Sequence, residues 1–169
     1  VRSFKQSLGK ELPLSHEQER LWILQSLNPG DTSYHITGSF WFDGFLKVEW
    51  LEKSLQHLLE THHLFQMEFF EEYGKVFQRQ KKSLSFPPLK VESLEGENLH
   101  QQVEKHALAL SKQPFDLRNP TLLRVRFFRV SSTQHILLMT VHHMIFDGWS
   151  FQIFLQELLE GYTKKKKRG

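Results

Sequence analysis

Cysteine is absent from the sequence. This absence excludes disulfide bonds, a thiol nucleophile and any metal site built on cysteine. The chain also lacks an apolar run long enough to span a bilayer, and no signal-peptide pattern follows its first residue. We therefore expect a cytoplasmic protein that does not enter the membrane. Because the first residue is Val1 rather than Met, we expect the sequence to be an excerpt of a longer chain.

A basic surface of the kind that binds nucleic acid is missing as well. The formal charge is +3, and removing the five positive charges of the run Lys164–Arg168 leaves −2 for the rest of the chain. The body of the protein is therefore not built for nucleic acid. We find no internal repeat and no glycine-rich phosphate loop. The 169 residues, with fifteen Phe and four Trp, are enough for one domain with a sizeable core.

Apolar spacing and turn signals predict four helices and six strands. The helices are expected at Ser15–Leu24, Val48–Thr61, Asn98–Gln113 and Ser150–Tyr162. The strands are expected at Tyr34–Phe42, Leu64–Phe70, Lys75–Gln80, Leu89–Ser93, Thr121–Val130 and His135–His142, the last two forming an antiparallel hairpin. This interspersed order predicts an α/β fold, a two-layer sandwich of a mixed sheet with packed helices. Residues 1–11 are expected to be a linker, residues 12–163 the folded unit and residues 164–169 a basic, solvated tail.

Two adjacent histidines, His142 and His143, end the last predicted strand. Successive side chains of a strand point to opposite faces, so the two imidazoles cannot both face one cleft. We therefore expect one of them to be catalytic or ligand-binding and the other to be structural. Gly148 follows, where the chain is expected to turn towards a helix.

The stretch His-His-x-x-x-Asp-Gly at 142–148, followed by Trp149 and Ser150, resembles the active-site motif of condensation domains of nonribosomal peptide synthetases. These domains belong to the chloramphenicol acetyltransferase-like superfamily. Two upstream stretches also resemble segments of that family: Ser15, Gln18, Arg20, Leu21 and Trp22, and then Pro114–Leu117 with Pro120–Arg124. The resemblance covers nearly the whole chain. It implies a chloramphenicol acetyltransferase-like half-domain, the amino-terminal lobe of a condensation domain.

The resemblance also implies a role for each motif residue. His143 would accept a proton from the attacking amine or orient that amine by a hydrogen bond, and His142 would pack beneath the strand. Asp147 would be structural, paired with an arginine of the other lobe. Gly148 would be a turn residue close to backbone donors that can stabilise an oxyanion, and Trp149 completes the motif. A metal site built on His142, His143 and Asp147 is disfavoured, because adjacent histidines on opposite strand faces chelate poorly.

The sequence departs from the family at the end of the second predicted helix. Thr61 and Gln66 stand where the family carries two arginines, whereas His62 and Phe69 match and Phe65 replaces a leucine. Arginine is poorly replaced where its planar fork is used. We therefore expect local ion pairs to be lost here rather than the fold.

The family's known architecture implies the partners. Its active site lies in a tunnel between two lobes, where carrier proteins deliver thioester substrates on phosphopantetheine arms and no cofactor is bound directly. The implied reaction is amide-bond formation. Since the second lobe is missing, we expect the isolated lobe to be inactive and to expose an apolar face. Two alternatives stay open: a related acyltransferase that uses a soluble or coenzyme A-linked donor, and a non-catalytic module that docks carrier proteins. Sequence downstream of Gly169 would distinguish them.

Overall fold

The computed structural model describes residues 11–81, 86–119 and 121–166. Residues 1–10 of the expected linker, residues 167–169 of the expected tail and Pro120 lie outside these ranges. The strands are β1 (Leu12–Pro13), β2 (His35–Asp43), β3 (Met67–Glu72), β4 (Lys75–Gln80), β5 (Val91–Ser93), β6 (Leu123–Arg129) and β7 (Gln134–His142). The helices are α1 (His16–Leu27), α2 (Val48–Thr61), α3 (Leu99–Ser111) and α4 (Gly148–Lys166), with a short 3-10 helix at His63–Gln66.

Four strands form a mixed sheet in the order β2-β7-β6-β5. β6 and β7 pair antiparallel, with Leu123 opposite Val141 and Arg129 opposite His135, so the predicted hairpin is confirmed. β2 pairs antiparallel with the other side of β7, and β5 runs parallel to β6. β7, which carries the histidines, is therefore an interior strand of the sheet.

Both faces of β7 are covered. Every residue of the strand after Gln134 is buried. On one face, Leu137 and Met139 join the larger apolar core with α2 and α4, and on the other Ile136 and Leu138 join a smaller core with α3. The predicted α/β sandwich of a mixed sheet with packed helices is confirmed, with helices on both faces of the sheet. α2 and α4 approach so closely that a Cβ added at Gly161 would lie 3.1 Å from the Cβ of Ser54.

A second, three-stranded sheet has the order β1-β4-β3. β3 and β4 form the predicted hairpin, and its turn places Tyr73 and Gly74 in the left-handed region, with φ of 50° and 71°. The two-residue strand β1, which pairs with β4, was not predicted. It brings the residues just before α1 against this hairpin.

The predicted strand Leu64–Phe70 is wrong over its first three residues, which lie in the 3-10 helix. The tighter turn buries Phe65, which is 4% exposed, among other aromatic rings. It also lets the Gln66 amide donate hydrogen bonds to the carbonyl oxygens of Leu59 and Glu60. These carbonyls belong to the last turn of α2, where backbone acceptors lack partners within the helix. A strand at this point would leave both demands unmet.

The helices are found where they were predicted, with shifted ends. α1 begins with the predicted capping box: the Ser15 hydroxyl accepts a hydrogen bond from the Gln18 backbone, and the Gln18 side chain accepts one from the Ser15 backbone. It continues to Leu27 rather than Leu24. α4 starts at Gly148 and runs to Lys166, so the first three residues of the expected tail are helical. Lysine is a good helix former, and positive charge near a helix C-terminus interacts favourably with the helix dipole.

Candidate active site

The site is built where β7 ends. The chain leaves the sheet at His142 and turns over His143–Ile145, and this turn is closed by a hydrogen bond from the Ile145 N–H to the His142 carbonyl, N···O 3.2 Å. Gly148 was expected to be the turn residue. It is instead the first residue of α4. The turn therefore depends on the residues directly after the strand, and the glycine begins the helix that follows.

His142 faces the interior and is fully buried. Its Nδ1 accepts a hydrogen bond from the Met144 N–H at 3.0 Å, so the ring proton of the neutral imidazole lies on Nε2, which faces the Gln25 side-chain oxygen at 3.4 Å. Three rings surround it, those of Tyr34, His35 and Phe115. The imidazole is therefore a structural support beneath the turn.

Burial lowers the pKa of His142 to about 4, and the nearby imidazoles of His35 and His143 lower it further. Desolvation disfavours the charged form of a buried group. The hydrogen-bonding pattern agrees, because a second proton on Nδ1 would point at the Met144 N–H. His142 is thus held neutral in the folded protein.

His143 has the opposite environment. Its side chain is exposed and lines an open cleft of about 340 Å³. The start of α1 and the motif residues form the walls of this cleft. The His143 N–H donates a hydrogen bond of 2.8 Å to the Tyr34 carbonyl, which ties the residue to the chain just before β2. A fixed backbone with a free imidazole is the arrangement that a catalytic histidine needs.

Met144, the next residue, is held at both ends of its peptide. Its N–H is bound by the His142 ring, and its carbonyl oxygen lies 3.3 Å from the Gln18 side-chain nitrogen. The Gln18 amide also pairs with the Gln78 amide on β4. One side chain therefore caps α1, contacts the second sheet and holds the turn that carries His143.

Asp147 lies at the start of α4 and is exposed. Its Oδ1 accepts hydrogen bonds from the Ser150 hydroxyl at 2.6 Å and from the Ser150 N–H at 2.8 Å. The hydroxyl, then the N–H, lower the pKa of this carboxyl. A carboxylate that accepts from the backbone three residues ahead is an N-cap. Trp149 is the second residue of α4, and its side chain lies outside the described part.

The residues that replace the family's arginines form a neutral network. The Gln66 side-chain oxygen accepts a hydrogen bond from the Gln80 amide at 2.9 Å, and the same amide nitrogen lies 2.7 Å from Nδ1 of His63. The Thr61 hydroxyl donates to the His57 carbonyl. Local ion pairing is thus replaced by amide and hydroxyl hydrogen bonds. His62 forms an ion pair with Glu157 of α4.

Three residues near the site were missed by sequence reasoning: Gln25, Tyr34 and His35. Gln25 is 5% exposed and its amide also donates to the carbonyls of Pro29 and Asp31 in the loop after α1. A signal existed for this residue, because a glutamine occupies the buried side of α1 beside Leu21 and Trp22. The other two contribute through contacts that span more than a hundred residues, and no local pattern reveals them.

Among the residues that the structure describes, no group of three or more His, Asp or Glu side chains could hold a metal ion. Within the same residues, no helix is long and apolar enough to cross a membrane. His142 and His143 have opposite exposures, so the two imidazoles are not brought together as a pair of ligands.

The profile of a family described as "Condensation domain" matches residues 9–169. Among curated proteins, one part of the linear gramicidin synthase of Brevibacillus parabrevis is 37% identical over 150 residues, and gramicidin S synthase 2 of Brevibacillus brevis is 32% identical over 154 residues. The matches cover 87% and 91% of this chain but only 3% of each of those two proteins. The chain therefore spans a small part of the length of these relatives.

Solved structures show the same fold at lower identity. The first condensation domain of the CDA synthetase superposes with a TM-score of 0.83 at 21% identity, over 93% of this chain and 41% of that chain. The starter condensation domain of rhizomide synthetase gives a TM-score of 0.80 at 19% identity, over 93% and 40%. The described fold thus corresponds to less than half of each of these chains.

Proposed function

The chain belongs to the condensation-domain family, and from that premise we propose that it supplies the catalytic histidine for amide-bond formation. Its relatives are peptide synthetases, and the chain is part of such a condensation domain. In the proposed reaction, the amine of an aminoacyl thioester attacks the carbonyl of a donor acyl or peptidyl thioester. The C–N bond forms, the C–S bond breaks, and the proton lost by nitrogen balances the released thiol.

His143 is the proposed catalytic residue. The observation that carries this proposal is its exposure in the cleft at the end of β7, while the adjacent His142 is buried. A neutral imidazole can accept the amine's proton or hold the amine in line for attack. Because an amine can lose its proton late in the reaction, positioning can contribute as much as proton transfer. The bonds that fix the backbone of His143 and Met144 support either role.

The other motif residues are proposed to act through His143. His142 supports the turn through the Met144 N–H. Asp147 begins α4 as its N-cap and is available, because it is exposed, to an arginine of a second lobe. Gly148 and Trp149 form the first turn of α4 behind the motif.

We propose carrier proteins as partners, each presenting its substrate on a phosphopantetheine arm, and a carboxy-terminal lobe that completes the tunnel. The chain matches 41% of a condensation-domain structure, which leaves room for that lobe. No cofactor bound directly by this lobe is required by the proposed reaction.

The test is the His143→Ala variant of a two-lobed protein that contains this lobe. With both carriers loaded, single-turnover condensation should fall by roughly 10²–10⁴-fold, the usual contribution of a positioned acid–base group. His57→Ala is the matched control, because His57 is also exposed but lies on α2, and it should react at the normal rate.

The identity of the donor separates the alternatives. Turnover with a coenzyme A-linked donor and none with a loaded carrier would favour the related acyltransferase. Carrier binding without turnover in the unmutated two-lobed protein would favour a docking module. An unchanged rate for His143→Ala would overturn the proposed role of this histidine.

A further inference from the structure

An apolar cavity of about 190 Å³ lies next to the His143 cleft. It is enclosed by the end of α2, the 3-10 helix and α4, and most of its lining side chains are apolar. The reaction proposed above does not use this cavity. Ligand sites are typically concave and apolar with a few polar groups, so the cavity has the character of a binding site.

Three phenylalanines line the apolar cavity: Phe65, Phe146 and Phe154. They are 4%, 7% and 3% exposed, and their ring centroids are 6.0 to 6.1 Å apart in every pair. Such spacing is that of favourable aromatic pairs. The rings hold one another in place, so the cavity has firm walls.

Exposed apolar side chains flank this cavity. Leu64 is 51% exposed and Ile153 is 44% exposed, and both contribute to its lining. The ion pair between His62 and Glu157 also borders it and connects the end of α2 to α4. Contiguous exposed apolar surface with a polar rim is typical of a ligand-binding groove.

The apolar cavity and the His143 cleft share walls. Leu64, Ile145, Phe146 and Ser150 line both. A molecule held at His143 can therefore extend an apolar group into the cavity past these residues. No rearrangement of α4 is needed for this.

We propose that the apolar cavity binds one apolar group of the substrate that reacts at His143, an aromatic ring or a branched alkyl group. This inference rests on the proposed function for the position of the reacting group. Size supports it: an apolar cavity of roughly 150 Å³ lined by Leu, Ile and Phe binds benzene in another protein, and this cavity has similar lining and volume.

The experiment uses the 169-residue chain with two probes, benzene and N-benzylacetamide, and follows methyl and imidazole resonances by NMR. Both probes should shift the methyl signals of Ile145 and Ile153. N-benzylacetamide alone should also shift the His143 ring, because its amide extends towards the cleft. Ile153→Phe fills the cavity and should weaken both probes at least tenfold. Leu159→Phe is the matched control: Leu159 is 41% exposed on the same helix but does not line the cavity, and its affinity should be unchanged.

A backbone amide spectrum checks that Ile153→Phe is folded, and Leu64→Phe fills the cavity from the opposite side as a second variant. The proposal is overturned if benzene shifts neither methyl, if both filling variants bind as the unmutated chain does, or if N-benzylacetamide leaves the His143 ring unchanged. His143→Ala should still bind benzene. Failure of the catalytic proposal, seen as an unchanged condensation rate in His143→Ala, is therefore a separate result from failure of the cavity.

Discussion

At the scale of single residues, His142 has no room for a second proton. Its Nδ1 accepts from the Met144 N–H, and the buried neighbour His35 places another imidazole close by. Nδ1 of His35 in turn lies 2.7 Å from the Ser111 carbonyl, and burial lowers the pKa of His35 as well. Protonation of this cluster breaks the contact that supports the turn.

We therefore predict that acid weakens the fold through His142. Burial lowers its pKa to about 4, while in the unfolded chain the value is about 6.5, so the unfolded state binds the proton first. The free energy of unfolding should be highest above pH 6.5 and should fall by an amount on the order of 3 kcal/mol as the pH drops to about 4. Urea unfolding at pH 7, 6, 5 and 4.5 measures this, and His142→Asn, which does not titrate, should show a shallower slope. Equal slopes would contradict the prediction.

Asp147 should have different effects in one lobe and in two. In this chain it is an exposed N-cap, so Asp147→Ala should lower the free energy of unfolding by about 1 kcal/mol. In a two-lobed protein where it pairs with a buried arginine, the same change should cost about 3–5 kcal/mol. Asp147→Asn keeps a capping oxygen and should be milder in both. Thermal stability measured beside the single-turnover rate tests this, and full stability with complete loss of activity in Asp147→Ala would make the carboxylate a direct participant.

Residue-scale prediction from the sequence succeeded where a local rule applied. The alternation of a strand predicts that His142 and His143 have opposite surroundings, as the burial pattern shows. It does not predict that Gln25 reaches the ring from α1, because that contact joins residues 117 positions apart. The capping role of Asp147 follows from its position before α4, but the sequence was interpreted only in terms of an ion pair.

At the scale of elements, α1 and β7 are joined by one side chain. Gln18 caps α1 through the Ser15 N–H and also donates to the Met144 carbonyl beside His143. A glutamate at position 18 keeps the accepting oxygen and loses the donor, so the two roles can be separated by substitution.

We predict that Gln18→Glu leaves the cap of α1 largely intact but loosens the turn, whereas Gln18→Ala removes both contacts. Gln18→Ala should lower the free energy of unfolding by about 1 kcal/mol, and Gln18→Glu should lower it less. Both variants should broaden or shift the His143 imidazole signals in NMR spectra. An unperturbed His143 ring in Gln18→Glu would show that the Met144 carbonyl does not need this donor.

The positions of the helices and of both hairpins follow from periodicity, since each buries one apolar face. The 3-10 helix does not, because Leu64–Phe70 has a composition that suits a strand. Its first residues turn instead to satisfy the end of α2 and to place Phe65 in the core. The extension of α4 into the lysine run was missed because a charge run was interpreted as a tail.

At the scale of the whole molecule, the cleft of His143 is open on one side and belongs to a chain that matches 41% of a condensation-domain structure. Apolar side chains also remain exposed on α1, among them Ile23 at 57% and Leu27 at 78%. Docking of a second lobe against an apolar face stays a prediction.

We predict that the purified 169-residue chain is inactive or nearly so, because it holds the histidine but only part of the walls that align two thioesters. Single-turnover assays with loaded carrier proteins measure this, and adding the missing lobe in cis should restore activity. Robust turnover by the chain alone would contradict the prediction.

The fold class and the family could be predicted at this scale because the motif and its upstream segments extend over the whole chain. The second sheet could not, since β1 has only two residues and pairs with a strand more than sixty positions away. The apolar cavity could not be predicted either, because its walls come from three separate elements.

The interior position of β7 determines how long the site stays assembled. This strand is hydrogen-bonded to β2 and β6 and covered on both faces, so its amide protons should exchange with solvent only when the whole domain opens. The His143 N–H, bound to the Tyr34 carbonyl at the end of that strand, should share much of this protection. Peripheral segments such as the short strand β5 can open and close many times while the histidine keeps its place. The lifetime of the reactive geometry is then the lifetime of the folded domain itself.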